Sequence, residues 1–374
     1  MKLLNSRKLL DKRILIVSPE AWSHSFVSKH HYALELAKFN KVYFLNPPSK
    51  TGKFFKPKVL MVGANLFVID YKPIIRGVNF FSLKLRLILT KIQIKIFEMV
   101  VNSKFDVVWN FETSRFYDFD AFNKNVLKIL HIVDLNQDFH FEEAAKSADI
   151  CICTTDFIKT KLIKHNKNVF KIHHGYNSLT KSDDMLYFKF DNNRVKAGYV
   201  GNLNIKYIDY ELIYKLITTN PNVDFYFAGP LDYNNIEKSS FLILDRLKVC
   251  PNFKLLGPIP SASIHGFLKN MDILLVIYKV KEHLEQLASP HKLMEYFGSG
   301  KVIVATYTDE YKDKRHLLAM NNENDNYLLL FKNVVDNLDF YNSNENQRSR
   351  IDFANSNRYI CQLNKIEQLV IEYV

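Results

Sequence analysis

Cysteine is scarce in this sequence: four residues in 374, at positions 151, 153, 250 and 361, with no CxxC pair among them. Such sparse thiols exclude a disulfide framework in a chain this long and fit a reducing compartment. Cys151 and Cys153 alternate within ADICICTT, which reads as two small apolar side chains on one strand face rather than as metal ligands. Long apolar runs are also missing. No stretch approaches the roughly 18 uncharged residues of a membrane-spanning helix, and charge breaks the opening MKLLNSRKLLDKR too early for a signal-peptide core. The expectation is a cytoplasmic protein with room for peripheral attachment to the inner face of the cytoplasmic membrane. GxGxxG is absent from the first strand–helix turn, SPEAWSHSFVSKHH, which argues against a dinucleotide dehydrogenase. Neither GxxxxGKS nor GxxxxGKT occurs, so a P-loop nucleoside triphosphatase is disfavoured as well.

What the chain does contain is ample core: 47% of its residues are apolar and 24% charged, the balance of a globular protein. Its length suits two domains of ordinary size. The net charge of +12 favours anionic partners such as phosphate-bearing ligands or an acidic membrane, part of the excess being a general Lys, Asn and Ile bias. Short β-branched runs alternate with helix-length amphipathic stretches, the pattern of parallel βαβ units. Strands are expected at 14–18, 41–46, 66–70, 106–110, 126–134, 148–155 and 169–175 in the first half. A second series follows at 195–201, 223–229, 253–257, 272–278 and 301–306. The polar stretch 181–194 reads as a linker. The expected organisation is α/β: a Rossmann-like domain over 1–180, a second over 195–354, and a C-terminal crossover helix over 355–374 returning to the first. Ligands of such a pair are expected in the cleft where the carboxyl ends of the strands face one another.

The strongest local signal is SPHKLMEYFGSGKVIVAT. Ser289 is a suitable N-cap and Pro290 suits the first helical position. The N–H groups of His291 and Lys292 would then meet an anion together with the Lys292 ammonium, and Glu295, one turn on, could accept from two ribose hydroxyls. The same residues also fit an ordinary capped helix with Glu295 in solvent.

This segment resembles the SPxKxxEYxAxGKPVV run of GT-B glycosyltransferases, in the large retaining family that uses nucleotide-diphosphate sugars (glycosyl transferases group 1, family 4-like). Further pieces are similar in order. NVFKIHHGYN resembles the element closing that family's N-terminal domain, and KAGYVGNLNIKYIDYELI the strand–loop–helix opening its C-terminal domain. NFKLLGPIPSASIHGFLKNMDILLVIY resembles its FLGP-x-P stretch, and SPEAWSHSFVSKHHYALELAKFNKVYFLNPP the variant of bacterial cell-surface polysaccharide enzymes. The likeness covers most of residues 13–306.

The resemblance implies two tandem Rossmann-like domains facing across a cleft. Ser289, His291 and Lys292 would face the donor diphosphate, and Glu295 the ribose. Asn202 stands where many relatives have Arg, and Lys206 falls one residue short of their usual Lys. The family's second acidic residue falls on Leu287, with Glu282 and Glu285 as nearby substitutes. On the acceptor side the likeness points to Asp134 as an orienting or weakly basic carboxylate, against a plain helix cap. It adds His24, Lys29 and His30 as acceptor or phosphate contacts, leaves His131 as a packed core residue, and gives His174 an interdomain hydrogen bond. Asp118-Phe119-Asp120 spells the DxD of metal-dependent GT-A enzymes, but tandem Rossmann-like halves disfavour that mechanism, so no metal and no other cofactor is expected. Residues 82–101 carry Lys84, Arg86, Lys91 and Lys95 among aliphatic side chains, the composition of an interfacial helix on anionic lipid or of an ordinary packed one.

The expected activity is transfer of a sugar from a nucleotide diphosphate to a hydroxyl of a cell-surface polysaccharide or a lipid-linked precursor. It would proceed with retention and with no nucleic-acid partner. A nucleotide-sugar epimerase and a non-catalytic scaffold for a partner transferase are the alternatives.

Overall fold

The computed structural model describes residues 9–24, 26–50, 53, 56–75, 77, 81–134, 139–177, 190, 193–234, 236–280, 289–322 and 326–374. They form two compact units, the first running to Gly175 and regaining Tyr359–Val374, the second spanning Tyr176–Arg358.

In the first unit β1 (Arg13–Val17), β2 (Lys41–Leu45), β4 (Leu66–Asp70), β5 (Val107–Asn110), β6 (Leu127–Ile132), β7 (Ile150–Cys153) and β8 (Val169–Lys171) lie parallel. The sheet order is β3-β4-β2-β1-β5-β6-β7-β8, and the edge strand β3 (Lys58–Gly63) pairs antiparallel with β4. Both faces of this sheet are covered. Leu15, Val17, Tyr43, Val108, Leu130, Cys151 and Cys153 enter one core, and Ile14, Ile16, Phe44, Trp109, Ile129 and Ile152 enter the other. Successive strand residues point to opposite faces, so burial on both sides produces the unbroken apolar runs seen in the sequence. The helices α1 (Ser28–Leu36), α2 (Leu83–Val100), α3 (Phe141–Ser147) and α4 (Asp156–Leu162) connect the strands.

The second unit has α5 (Tyr210–Thr219), α6 (Lys238–Lys248), α7 (Ile264–Asn270), α8 (Leu293–Ser299), α9 (Tyr327–Asp336), α10 (Leu338–Tyr341) and α11 (Asn344–Ser356). Its sheet joins β9 (Val195–Val200), β10 (Val223–Ala228), β11 (Phe253–Gly257), β12 (Ile273–Val276), β13 (Val302–Ala305) and β14 (Ala319–Met320), all parallel, in the order β11-β10-β9-β12-β13-β14. Arg350 of α11 is buried and donates to the carbonyls of Leu317, Gly300 and Tyr341 at 2.8–2.9 Å, tying the end of α8 to the far edge of the unit.

The C-terminal helix expected over 355–374 is α12 (Tyr359–Tyr373), which belongs to the first unit, and α11 ends just before it in the second. Tyr359, Gln362, Leu363, Ile366 and Val370 of α12 recur at three- and four-residue spacing and are buried; the helix packs beside α1 of the first unit. The expected strands correspond to β1, β2, β4 to β13 within a few residues, whereas β3, β14, α9 and α10 carry no sequence expectation.

Candidate functional site

In the second unit β9 and β10 are followed at once by Gly201 and Gly229, with φ of 150° and 148°. Their backbones nearly touch: a Cβ on Gly229 would sit 1.8 Å from the Gly201 carbonyl oxygen. Only glycine accepts both the approach and the dihedral. A Cβ on Gly201 would in turn lie 2.7 Å from the Nζ of Lys292, so the missing side chain leaves room for that ammonium at the carboxyl end of β9.

Lys292 stands at the entry to α8. Its Nζ lies 3.5 Å from the centroid of the Tyr199 ring and 5.5 Å from that of Tyr278. Burial pushes this ammonium well below the usual lysine range. The ring faces work in the opposite direction, since their negative quadrupole favours the charged form. The Tyr199 side chain is fixed in β9, and the hydroxyl of Tyr296 accepts from the backbone N–H of Val200 at 2.9 Å, locking α8 against the same strand.

Glu295 follows one turn later on the same face. Its Oε2 and the Nζ of Lys292 are both sealed from solvent, and neither has a hydrogen-bond partner among the described residues. Burial raises the Glu295 carboxyl to about 8. A lysine nitrogen and a carboxyl oxygen thus sit desolvated and without partners on neighbouring turns, an arrangement that costs stability unless a ligand supplies acceptors to one and donors to the other.

The helix start differs from the expectation. Pro290 is not the first helical residue: α8 begins at Leu293, and residues 290–292 form a tight turn in which Leu293 N–H bonds the Pro290 carbonyl at 3.1 Å. Ser289 does not cap the helix but is buried, close enough to Tyr311 to bear on its hydroxyl. His291 is half-buried beside Lys292. The side-chain chemistry therefore rests on Lys292 and Glu295 more than on a helix terminus. Asn202 is exposed and its Oδ1 accepts from the N–H of Asn204 at 2.9 Å, closing the loop after β9. Lys206 is exposed, with its Nζ 5.4 Å from the Tyr207 ring. Leu287, Glu282 and Glu285 lie outside the described residues.

In the first unit the structure gathers part of the expected acceptor set. Lys29 is buried in α1 and forms an ion pair with Glu20, which follows β1. Asp134, just beyond β6, is an exposed residue whose carboxyl is nonetheless pushed upward by the desolvating protein around it, with Lys29 opposing this and Glu20 reinforcing it. Asp134, Lys29 and Glu20 therefore feel one another's charge. His30 does not join them. Its ring is fully buried, stacked on Phe26 and Phe44, with Nδ1 accepting from Val27 N–H at 3.2 Å and Nε2 3.1 Å from the Ala21 carbonyl. Both nitrogens are engaged within the fold. His24 is exposed in the loop before α1. His131 is a core residue, stacked on Phe111 and pushed down to about 3 by burial. His174 Nδ1 lies 3.3 Å from Ser28 Oγ, a contact inside the first unit. Asp118 accepts from the N–H of Asp120 at 3.1 Å and so caps a short turn.

Sequence reasoning missed Tyr199, Gly201 and Glu20, and also a buried brace. Arg115 donates to the Ser18 carbonyl at 2.7 Å, the Asn46 carbonyl at 3.1 Å and the Tyr71 hydroxyl at 2.8 Å, and forms an ion pair with Glu112. It ties together the loops after β1, β2, β4 and β5.

No family model matches the chain, and no curated protein matches it in sequence. Among solved structures it is similar to the sucrose-phosphate synthase of Thermosynechococcus elongatus (TM-score 0.72, 11% identity, 96% of this chain and 98% of that one). It is also similar to a glycosyltransferase from Rickettsia africae (TM-score 0.70, 13% identity, 97% and 98% covered). A third likeness is to a trehalose-6-phosphate structure from E. coli bound with UDP-2-fluoro glucose (TM-score 0.69, 10% identity, 96% and 98% covered). The fold is the GT-B fold, with two Rossmann-like parallel-sheet units.

Proposed function

We propose that this protein is a glycosyltransferase that moves a sugar from a nucleotide diphosphate to an acceptor hydroxyl of a cell-surface polysaccharide or its lipid-linked precursor. The observation that carries the reading is the unpaired Lys292 Nζ at the carboxyl end of β9, with the unpaired Glu295 Oε2 one turn further along the same helix face. A diphosphate offers oxygens to the ammonium and a ribose offers vicinal hydroxyls to the carboxylate, so one ligand satisfies both. Ser289, His291, Asn202 and Lys206 complete the donor side as the resemblance implies. The UDP-sugar bound by the E. coli structure of the same fold supports this ligand class.

On the acceptor side Asp134 orients the attacking hydroxyl, with Lys29 and His24 near the acceptor. Catalysis then comes from positioning and from stabilising the departing diphosphate through Lys292, with retention of configuration and without a divalent metal. The protein works at the cytoplasmic face of the membrane, where α2 meets anionic lipid. Lys84, Lys91 and Lys95 are exposed on this helix, as are Leu85, Ile88 and Ile92.

Incubation of the full chain with a panel of nucleotide sugars and lipid-linked or polysaccharide acceptors tests the reading by mass spectrometry. Expected are an acceptor heavier by one sugar and free nucleoside diphosphate, unchanged by EDTA. Return of an epimerised nucleotide sugar without transfer would support the epimerase, and absence of any nucleotide affinity the scaffold. Activity lost in EDTA, restored by manganese and absent in Asp118→Asn would move the donor to Asp118 and Asp120.

A further inference from the structure

A cavity of about 450 Å³ lies entirely within the first unit, between α2 and the loops that follow β2, β4 and β5. Its position at strand carboxyl ends is where open parallel sheets receive ligands, and its volume suits a small organic molecule. The walls are mainly apolar, with Tyr71, Pro73, Ile74, Leu87, Leu89 and Phe116 among them. Among the described residues the lining charges are Lys50, Arg86, Arg115 and a single acid, Asp118. Arg115 is neutralised by Glu112 and already braces the floor, while the Asp118 carboxylate accepts from Asp120.

Two donors in this wall lack an acceptor. The Nε of Arg86 and the Nε2 of Gln93 are sealed from solvent with no hydrogen-bond partner among the described residues. Gln93 is only 5% exposed, and its Oε1 is taken by the N–H of Ile74 at 3.1 Å. The Arg86 guanidinium is held 5.6 Å from the Tyr117 ring centroid, which places a cation at the edge of the apolar walls. Buried donors without acceptors beside apolar surface call for a ligand with an oxygen-rich anionic end and a hydrocarbon end.

We propose that this pocket binds an anionic amphiphile, its hydrocarbon part between α2 and the strand-end loops and its head accepting from Arg86 and Gln93. The site deepens the acceptor half of the reading above, since a lipid-linked acceptor has this chemistry. The helix that walls the pocket also exposes Leu85, Ile88 and Ile92, so an amphiphile leaving a membrane surface would meet α2 first.

Calorimetry on the full chain with dodecyl phosphate below its micellar concentration tests the site, with dodecanol and inorganic phosphate as the two partial probes. Dodecyl phosphate should bind at least tenfold more tightly than either. Arg86→Gln should weaken it about tenfold and Thr90→Trp, which fills the cavity, should abolish it, with thermal unfolding confirming that both variants fold. UDP titrated into the same preparations separates the two readings: the pocket stands if dodecyl phosphate behaves as stated whether or not UDP binds. Equal binding by wild type and both variants, equal affinity for dodecanol or for phosphate alone, or no binding of dodecyl phosphate would each overturn it.

Discussion

The ammonium of Lys292 lies 3.5 Å from the centre of the Tyr199 ring, although the two residues are 93 positions apart in different elements. The glycine that follows β9 makes this approach feasible, because its hydrogen occupies the place where a methyl group would meet the Lys292 Nζ. A cation–π contact in a desolvated site stabilises by about 2 kcal/mol, enough to hold the charge in place but less than an ion pair with phosphate. The contact opposes the desolvation that lowers the Lys292 ammonium and holds its Nζ in place.

Gly201→Ala should displace it. The new Cβ falls 2.7 Å from Nζ, and alanine at a φ of 150° is strained by about 1–3 kcal/mol. The variant is expected to unfold at lower temperature and to bind UDP more weakly than wild type. A variant of undiminished affinity would detach Gly201 from the donor site.

Glu295 makes stability depend on pH in a defined direction. Its carboxyl is raised from 4.5 to about 8 in the folded protein, so the folded state holds a proton that the unfolded state has released. The contribution is fully present below about pH 4.5 and declines as pH rises through about 8. Glu295→Gln removes this loss, and the melting temperature of the variant relative to wild type should climb between pH 5 and 8.5 and then level off. A difference that stays constant over this range would mean that the carboxyl is not desolvated.

Arg115 and Glu112 carry a stability prediction in the first unit. The Glu112 side chain is 2% exposed, so Arg115→Met leaves a buried carboxylate without its cation. That loss is worth about 3–5 kcal/mol, whereas the double replacement Glu112→Gln with Arg115→Met should recover part of it. Chemical denaturation of the three variants decides this; purely additive losses would show that the pair is not coupled.

Membrane attachment through α2 predicts that reversing Lys84, Lys91 and Lys95 to Glu removes most of a salt-sensitive association with anionic vesicles, at about 1 kcal/mol per basic side chain. Equal pelleting of wild type and triple variant would make these lysines ordinary solvated charge.

The parallel strands of both sheets were legible because strands buried on two faces are apolar throughout, as in ILLV and VIVA. Lys292 and Glu295 stood out because a Ser-Pro pair marks a helix start and their spacing puts them on one face. The local backbone was not legible: the chain makes a turn at 290–292 before α8, and Ser289 is buried rather than capping the helix. Nor could the sequence separate Lys29 from His30. They are neighbours on α1, but one reaches Glu20 and the other fits an aromatic stack with Phe26 and Phe44. The alternation LKLRLIL leaves α2 ambiguous between helix and strand, whereas burial of Gln93, Ile94, Ile96 and Phe97 along one side holds it helical. The Glu112–Arg115 brace sits in a loop, FETSR, whose composition gives no sign of four strand ends meeting there.

The central claim, a nucleoside diphosphate held by Lys292 and Glu295, is tested most directly by calorimetric titration of UDP into the full chain and into Lys292→Ala and Glu295→Ala. Each variant should fold and lose on the order of 1.5–3 kcal/mol of binding free energy, the cost of a charge-assisted contact. Unchanged UDP affinity in both folded variants would contradict the account.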